Sequence, residues 1–501
     1  MLNKLLLFYF IQPKVIYLHI IWLDIKYNKM KLIGRKNEIK LLKDALKSTC
    51  PELIAIYGRR RVGKTYLVRS VFRNDIIFEI SGIHNGDQKE QLINFHHTLL
   101  LKKKYMPKPA NWLEAFYNLT LYINTLRSKK KKVLFFDEFP WLDTPKSNFL
   151  AAFDNFWNSF ISKRDDIVIV ICGSAASYMI QKIIKNKGGL YNRLTNSIRL
   201  EPFTLYETEL MIKNNKIKFT RYDIVQLYMI LGGIPHYLEK LKPGESVTQA
   251  VDRLCFRKDG FLRNEFENIF ASLFDQYDNH ETIIKTLSSV RKGLTRNEIV
   301  AKSKISSGGT LTKTLTELEE SGFIESYLPY KGTKDTLYRL TDEYTMFYIR
   351  FIKNTKPAKG NFMSKLLSQQ SFKIWAGYCF ETLCIKHIDE IKERLKISGI
   401  NSFHGSWIHK EKDGGAQIDL LIDRDDNVIN TCEMKFHNSF FSIDKKYANE
   451  LIKKTNYFIE KTKTKKSVQL IFITSYGLVD NTYCNQLVQK NLTIDDLFVE
   501  L

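Results

Sequence analysis

Eight consecutive residues, Gly58-Arg59-Arg60-Arg61-Val62-Gly63-Lys64-Thr65, have the pattern G-x-x-x-x-G-K-T. Glycines at both ends let the backbone between them, through Arg59, Arg60, Arg61 and Val62, turn its N–H groups inward around phosphate oxygens. Lys64 is suited to bridge the β- and γ-phosphates of ATP as a point charge, and Thr65 to offer its hydroxyl to Mg²⁺. A second segment, residues 133–138, reads Val-Leu-Phe-Phe-Asp-Glu and delivers two carboxylates at the end of an apolar run. Asp137 suits a water-mediated hold on Mg²⁺, and Glu138 suits the base that orients or deprotonates an attacking water. That pairing implies hydrolysis rather than binding alone. Ser174, after the next apolar run, either senses a γ-phosphate or simply turns the chain. Arg193, grouped here with the ATP-binding set, and Arg199 are each either an arginine finger or a solvated surface residue.

A second constellation lies near the C-terminus. Asp419 is followed fourteen residues later by Glu433, with Lys435 two beyond that, so Glu433 and Lys435 face one side of a strand. Glu381 stands on an upstream helical stretch, and Gln417 precedes Asp419. Asp419 and Glu433 are hard oxygen ligands of the kind Mg²⁺ prefers. With Lys435, the metal would activate water and stabilise charge on a scissile phosphate. Surface charges on an ordinary hairpin are the competing reading.

The elements that must position these groups follow from the apolar pattern. Residues 53–57, 133–136 and 167–172 are short buried strands, and residues 65–72 form the helix that leaves the loop. Strands alternating with helices predict a parallel sheet. Residues 206–278 read as helical. Residues 279–345 read as three helices and a β-hairpin, the second helix opened by the capping box Thr295-Arg296-Asn297-Glu298. Residues 356–361 read as a linker, and the remainder as mixed α/β. The expected organisation is therefore 1–29 as an extension outside the fold and 30–205 as a phosphate-binding α/β domain. A helical lid (206–278), a winged helix (279–345) and a C-terminal α/β domain (346–501) follow.

Composition narrows the partners. Lys and Arg exceed Asp and Glu by 77 − 54 = 23, which favours a polyanion such as DNA. The third helix of residues 279–345 is acidic, with Glu317, Glu319 and Glu320, so a structural hinge and a DNA reader both remain open for that unit. The seven cysteines form no CxxC pair and no zinc pattern, and reduced thiols in a cytoplasm fit them. Two apolar runs within residues 1–29 are split by Gln12-Pro13-Lys14, and each is shorter than the roughly 20 residues a spanning helix needs. No integral membrane span is expected.

Several motifs carry a resemblance. Ile33-Gly34-Arg35, Asp137-Glu138-Phe139-Pro140-Trp141-Leu142, Cys172-Gly173-Ser174, Arg199-Leu200-Glu201-Pro202-Phe203 and Gly232-Gly233-Ile234-Pro235 are similar to those of the archaeal-type P-loop ATPase family of the AAA+/STAND group. Asn192-Arg193 departs from the Gly-Arg usual there. The Asp419, Glu433 and Lys435 spacing resembles the PD-(D/E)XK nuclease signature, with Glu381 matching that family's acidic helix residue. The resemblance implies a P-loop NTPase sheet with helical lid, a winged helix and a restriction-endonuclease-like domain, with ATP and Mg²⁺ as cofactors. It implies an ATP-driven switch controlling a DNA-acting nuclease-like domain, and is compatible with nucleotide-dependent homo-oligomers. The alternative is a signalling or scaffold ATPase whose terminal domain only binds protein or nucleic acid.

Overall fold

The computed structural model describes residues 32–128, 130–185, 191–274, 277–331, 335–357, 360–411 and 414–501. The extension read at residues 1–29 and residues 332–334 of the expected hairpin turn lie outside them.

The N-terminal sheet is built from β1 (Glu52–Tyr57), β2 (Ile76–Ser81), β3 (Lys132–Asp137), β4 (Ile167–Gly173) and β5 (Asn196–Arg199). Its order is β2-β3-β4-β1-β5, with every neighbouring pair parallel. β3 and β4 are buried along their whole length and β1 through Leu53–Ile56. Strands covered on both faces should read as continuous apolar runs, which is why the sequence showed them so plainly. The helices flanking this sheet are α1 (Lys36–Ala45), α2 (Lys64–Val71), α3 (Gln88–Leu100), α4 (Trp112–Asn124), α5 (Phe139–Leu142) and α6 (Phe149–Ser159). One face is filled by the aromatic cluster Trp112, Phe116, Phe136, Phe139, Phe149 and Phe153.

The other face continues into the rest of the chain. A single buried core joins Ile54, Ile56 and Val170 to α7 (Leu205–Asn214), α8 (Arg221–Leu231) and α9 (Glu265–Leu273), and onward to the C-terminal sheet. Beyond α9 stand α10 (Asp278–Ser288), α11 (Arg296–Ser303) and α12 (Gly309–Glu320) with a small antiparallel sheet, β6-β8-β7. β7 is Ile324–Tyr327 and β8 is Leu337–Leu340; the two-residue β6, Leu294–Thr295, pairs with β8 and was not foreseen. The capping box at α11 is present, with Thr295 accepting from Glu298 N–H and Glu298 accepting from Thr295 N–H.

One expected boundary needs correction. The cut between residues 345 and 346 falls inside α13 (Glu343–Phe347), which runs on as a wide turn to Ile352. This segment packs on the helical region: the Tyr344 hydroxyl donates to Leu262 O at 2.5 Å, and Tyr348 stacks on Phe266 at 4.7 Å. Its aromatic residues look alike in a core helix or a linker edge, so the sequence alone did not place it.

The C-terminal body begins with α14 (Gln370–Lys386) and a second five-stranded sheet, ordered β13-β12-β11-β10-β9. β9 (Ser402–Glu411), β10 (Gly414–Arg424) and β11 (Val428–Lys435) form an antiparallel meander. After α15 (Lys445–Thr462), β12 (Ser467–Thr474) and β13 (Val488–Thr493) add in parallel. Asn427, with φ 68°, makes the turn into β11. β10 begins at Gly414, five residues before Asp419. No helix among the described residues is long and apolar enough to cross a membrane.

Removing a capping hydroxyl orphans a backbone donor, so Thr295→Ala should cost about 1 kcal/mol in denaturant unfolding. An unchanged midpoint would show that the cap contributes nothing.

Candidate functional site

Parallel pairing brings three strand ends to one edge. Tyr57 lies opposite Gly173, and Phe136 opposite Ile171, so Gly58, Ser174 and the Asp137–Glu138 pair emerge side by side. Gly58 has φ 134°, and a Cβ there would sit 2.4 Å from the Leu200 carbonyl oxygen. Gly63 has φ 95° and initiates α2. Both positions demand glycine, the first for space as well as torsion.

Within this loop Lys64 is buried and its Nζ donates to the carbonyls of Gly58, at 2.9 Å, and Arg59, at 3.0 Å. Burial lowers its pKa, against the raising influence of Glu138, Cys172 and Asp137. A buried ammonium held only by loop carbonyls fits a phosphate ligand. Thr65 Oγ1 donates to Asp137 Oδ2 at 2.9 Å, so a hydroxyl and a carboxylate of the kind Mg²⁺ prefers already converge. Burial first, then repulsion from Glu138, raises Asp137 from 3.8 to about 6. Glu138 sits in left-handed backbone, φ 44°. Its carboxylate accepts from the Ser174 hydroxyl at 2.7 Å and the Ser174 N–H at 3.1 Å. Ser174 therefore orients the expected base in this structure. Arg193 is ion-paired with Asp154 of α6, and Arg199 with Glu201 at 2.7 Å, so each is held by a neighbour outside the loop.

The loop arginines have partners that sequence spacing could not reveal. Arg59 is buried against Asp342, which follows β8, and lies 5.4 Å from the Phe323 ring centre. Arg61, at φ 74°, pairs with Glu265 of α9 at 2.7 Å, and Glu265 also accepts from the Tyr237 hydroxyl at 3.1 Å. Arg60 adds to the depression of the Lys64 pKa.

Residues 32–241 match a family described as an ATPase domain predominantly from Archaea. This chain carries an archaeal-type ATPase domain. An uncharacterized protein of Methanocaldococcus jannaschii is 28% identical over 400 residues, covering 78% of this chain and 83% of that relative. Among solved structures, the Walker-type ATPase of Pyrococcus abyssi is similar at 17% identity and a TM-score of 0.45, covering 64% of this chain and 96% of its own. The Aeropyrum pernix ORC2 protein is similar at 14% identity and a TM-score of 0.39, covering 68% and 98%.

Beyond the ATPase domain, the C-terminal residues gather around β10 and β11. Leu420 pairs with Cys432, which sets Asp419 and Glu433 beside one another on adjacent strands. The β9–β10 register shifts between Ile418 and Leu421, at Asp419, and such a bulge re-aims side chains. Gln417 Nε2 donates to Asp419 Oδ1 at 2.6 Å. Glu433 pairs with Lys435 at 2.8 Å and Lys454 at 2.5 Å and accepts from the Tyr447 hydroxyl at 2.7 Å. Burial would raise its pKa, but the two lysines hold it at about 2. Glu381 receives two 2.8 Å hydrogen bonds from Arg291, which precedes β6. Burial, then Asp419, raises Glu381 to about 7, opposed by Arg291 and Lys435. The electrostatic neighbourhood expected from the sequence exists, but no three His, Cys, Asp or Glu side chains among the described residues form a metal-holding group. Glu381 and Glu433 are held by cations instead. Tyr447 and Lys454, both on α15, and Arg291, before β6, carried no signal in spacing, because they arrive from elements outside the β10–β11 hairpin.

Two outcomes follow for the ATPase domain. Gly58→Ala should abolish nucleotide binding in a fluorescent-nucleotide titration, and retained affinity would deny the loop its role. A raised folded-state carboxyl means that ionising Asp137 destabilises the nucleotide-free fold, a cost absent below about pH 4 and complete above about pH 6. Asp137→Asn should thus stabilise the nucleotide-free chain at pH 8 by up to about 3 kcal/mol, fading towards pH 4 in thermal melts.

Proposed function

We propose that the chain is an ATP-hydrolysing switch whose C-terminal body is a nuclease-like domain acting on DNA with Mg²⁺. The observation that carries hydrolysis is the Glu138 carboxylate, fixed by two Ser174 hydrogen bonds next to the Thr65–Asp137 pair. Lys64 leaves its loop carbonyls to neutralise the phosphates. Thr65 and Asp137 hold Mg²⁺, which screens phosphate charge when bound, and Glu138 positions the attacking water.

The nuclease-like reading is supported by an antiparallel three-strand meander joined through α15 to parallel strands, with Asp419, Glu433 and Lys435 on adjoining strands. Lys435 is placed to steady charge on a phosphate, and the excess of 23 positive charges suits a polyanion. We read the three-helix and hairpin unit as a winged helix serving as a hinge. Its α12 packs on the short helix Ala176–Tyr178 of the ATPase domain and is acidic, which poorly suits a major groove. The second reading, an ATPase whose terminal domain only binds a partner, is favoured by one fact: the acidic residues there are engaged by Arg291, Lys435 and Lys454.

Lys64→Ala should abolish nucleotide binding, while Glu138→Gln should bind ATP and trap it; unchanged turnover in either removes the ATPase assignment. Purified chain should nick plasmid DNA with Mg²⁺ in at least one nucleotide state, and Asp419→Ala and Lys435→Ala should eliminate nicking. Absence of cleavage in every nucleotide state would favour the binding-only reading.

A further inference from the structure

The winged helix touches both sites at once. At one end, Asp342 is buried against Arg59 of the phosphate-binding loop. The next residue, Glu343, pairs with Lys386 at 2.6 Å, and Lys386 lies on α14, the helix that carries Glu381. At that same end, Arg291 clamps both oxygens of Glu381, and its guanidinium lies 3.2 Å from the centre of the Tyr378 ring. The antiparallel β6–β8 ladder, where Leu294 pairs with Tyr338 and Thr295 with Leu337, brings the segments carrying Arg291 and Asp342 out at one edge. Arg291 and Asp342 therefore sit just outside one short hydrogen-bonded sheet.

We propose that this ladder couples the two sites, with Arg291 as a positioning residue that withholds Glu381 from metal until nucleotide binding releases it. The inference rests on the nuclease-like reading above and names its regulation. Its chemistry is one of competition. The Arg291 guanidinium on both Glu381 oxygens answers that carboxylate's charge and takes up lone pairs, so a divalent cation must compete with Arg291 for it. At the loop, Lys64 donates to the carbonyl of Arg59, the residue whose guanidinium binds Asp342. Phosphate entry draws Lys64 away from that carbonyl, so the backbone of Arg59 loses a partner where its side chain grips the winged helix. A ligand can shift such an equilibrium only through differential contacts in the two states, and this bond is one. Movement of Asp342 and Glu343 reaches α14 through Lys386 and reaches Arg291 through the ladder. The two sites are joined by a continuous set of named bonds.

The test uses full-length protein and Mn²⁺ as the metal probe, with binding followed by electron paramagnetic resonance. Each variant is compared with the same variant carrying Asp419→Ala, which isolates the C-terminal site from the ATPase domain. Without nucleotide, Arg291→Ala should bind Mn²⁺ at least about tenfold tighter than the parent, in the range over which outer partners tune metal sites. Adding Glu381→Gln should erase the gain, and Arg291→Lys should fall between. A non-hydrolysable ATP analogue should tighten Mn²⁺ binding in the parent. Asp342→Asn, which keeps a side-chain oxygen to accept from Thr345 N–H, should remove that nucleotide effect. Because it leaves buried Arg59 without its counter-charge, Glu343→Gln serves as the second uncoupling variant, its partner Lys386 being partly exposed. Asp419-dependent binding that Arg291→Ala leaves unchanged would overturn the coupling and leave the metal site standing. No Asp419-dependent binding in any variant would remove the nuclease-like reading and this inference together.

Discussion

The architecture depends on one constraint: β3, β4 and most of β1 are buried on both faces, so their polar chemistry has nowhere to go but the strand ends. A carboxylate midway along Val133–Phe136 would be an unpaired buried charge, a cost of several kcal/mol in order of magnitude. Asp137 and Glu138 instead appear where the strand stops, level with Ser174 after β4 and with Gly58 after β1 beyond it. The parallel register makes that edge a shelf on which the Gly58–Thr65 loop, the hydrogen-bonded Thr65–Asp137 pair and the Glu138 carboxylate meet. Even there, burial is felt, since it is the largest influence raising Asp137.

The features legible in the sequence are those whose physics is local. The loop's glycines, the apolar runs of β1, β3 and β4 and the capping box at Thr295 are each determined within about ten residues. The relation of Asp419 to Glu433 was legible too, because a tight hairpin converts spacing into adjacency. What could not be read is every pairing that closes a long loop. Arg59 with Asp342, Arg61 with Glu265 and Arg291 with Glu381 join charges that look like solvated surface residues until the fold brings them together. β6 was missed because two residues carry no periodicity, and α13 because aromatic density does not say which body a helix belongs to.

The same separation explains why the two halves of the site reading stand differently. In the ATPase domain the loop residues, Asp137, Glu138 and Ser174 are brought together at the strand edge, while Arg193 is held apart by Asp154. In the C-terminal body the expected residues are brought together with their charges already answered. Lys435 and Lys454 hold Glu433 ionised, while Arg291 only partly offsets the push of burial and Asp419 on Glu381. Substituting Arg291 or Lys435 therefore bears first on the acid that each one holds, Glu381 for the former and Glu433 for the latter.

The burial of Arg59 on Asp342 also bears on how the chain is made. The two residues are 342 − 59 = 283 positions apart, so the phosphate loop leaves the ribosome long before its counter-charge does. At roughly 5–20 residues per second, synthesis of that interval takes on the order of tens of seconds. Throughout it, the sheet that frames the loop can form while the Arg59 guanidinium stays solvated and the loop unanchored. The nascent ATPase domain is in this sense translated unfinished, and its nucleotide pocket is completed from the far end of the message.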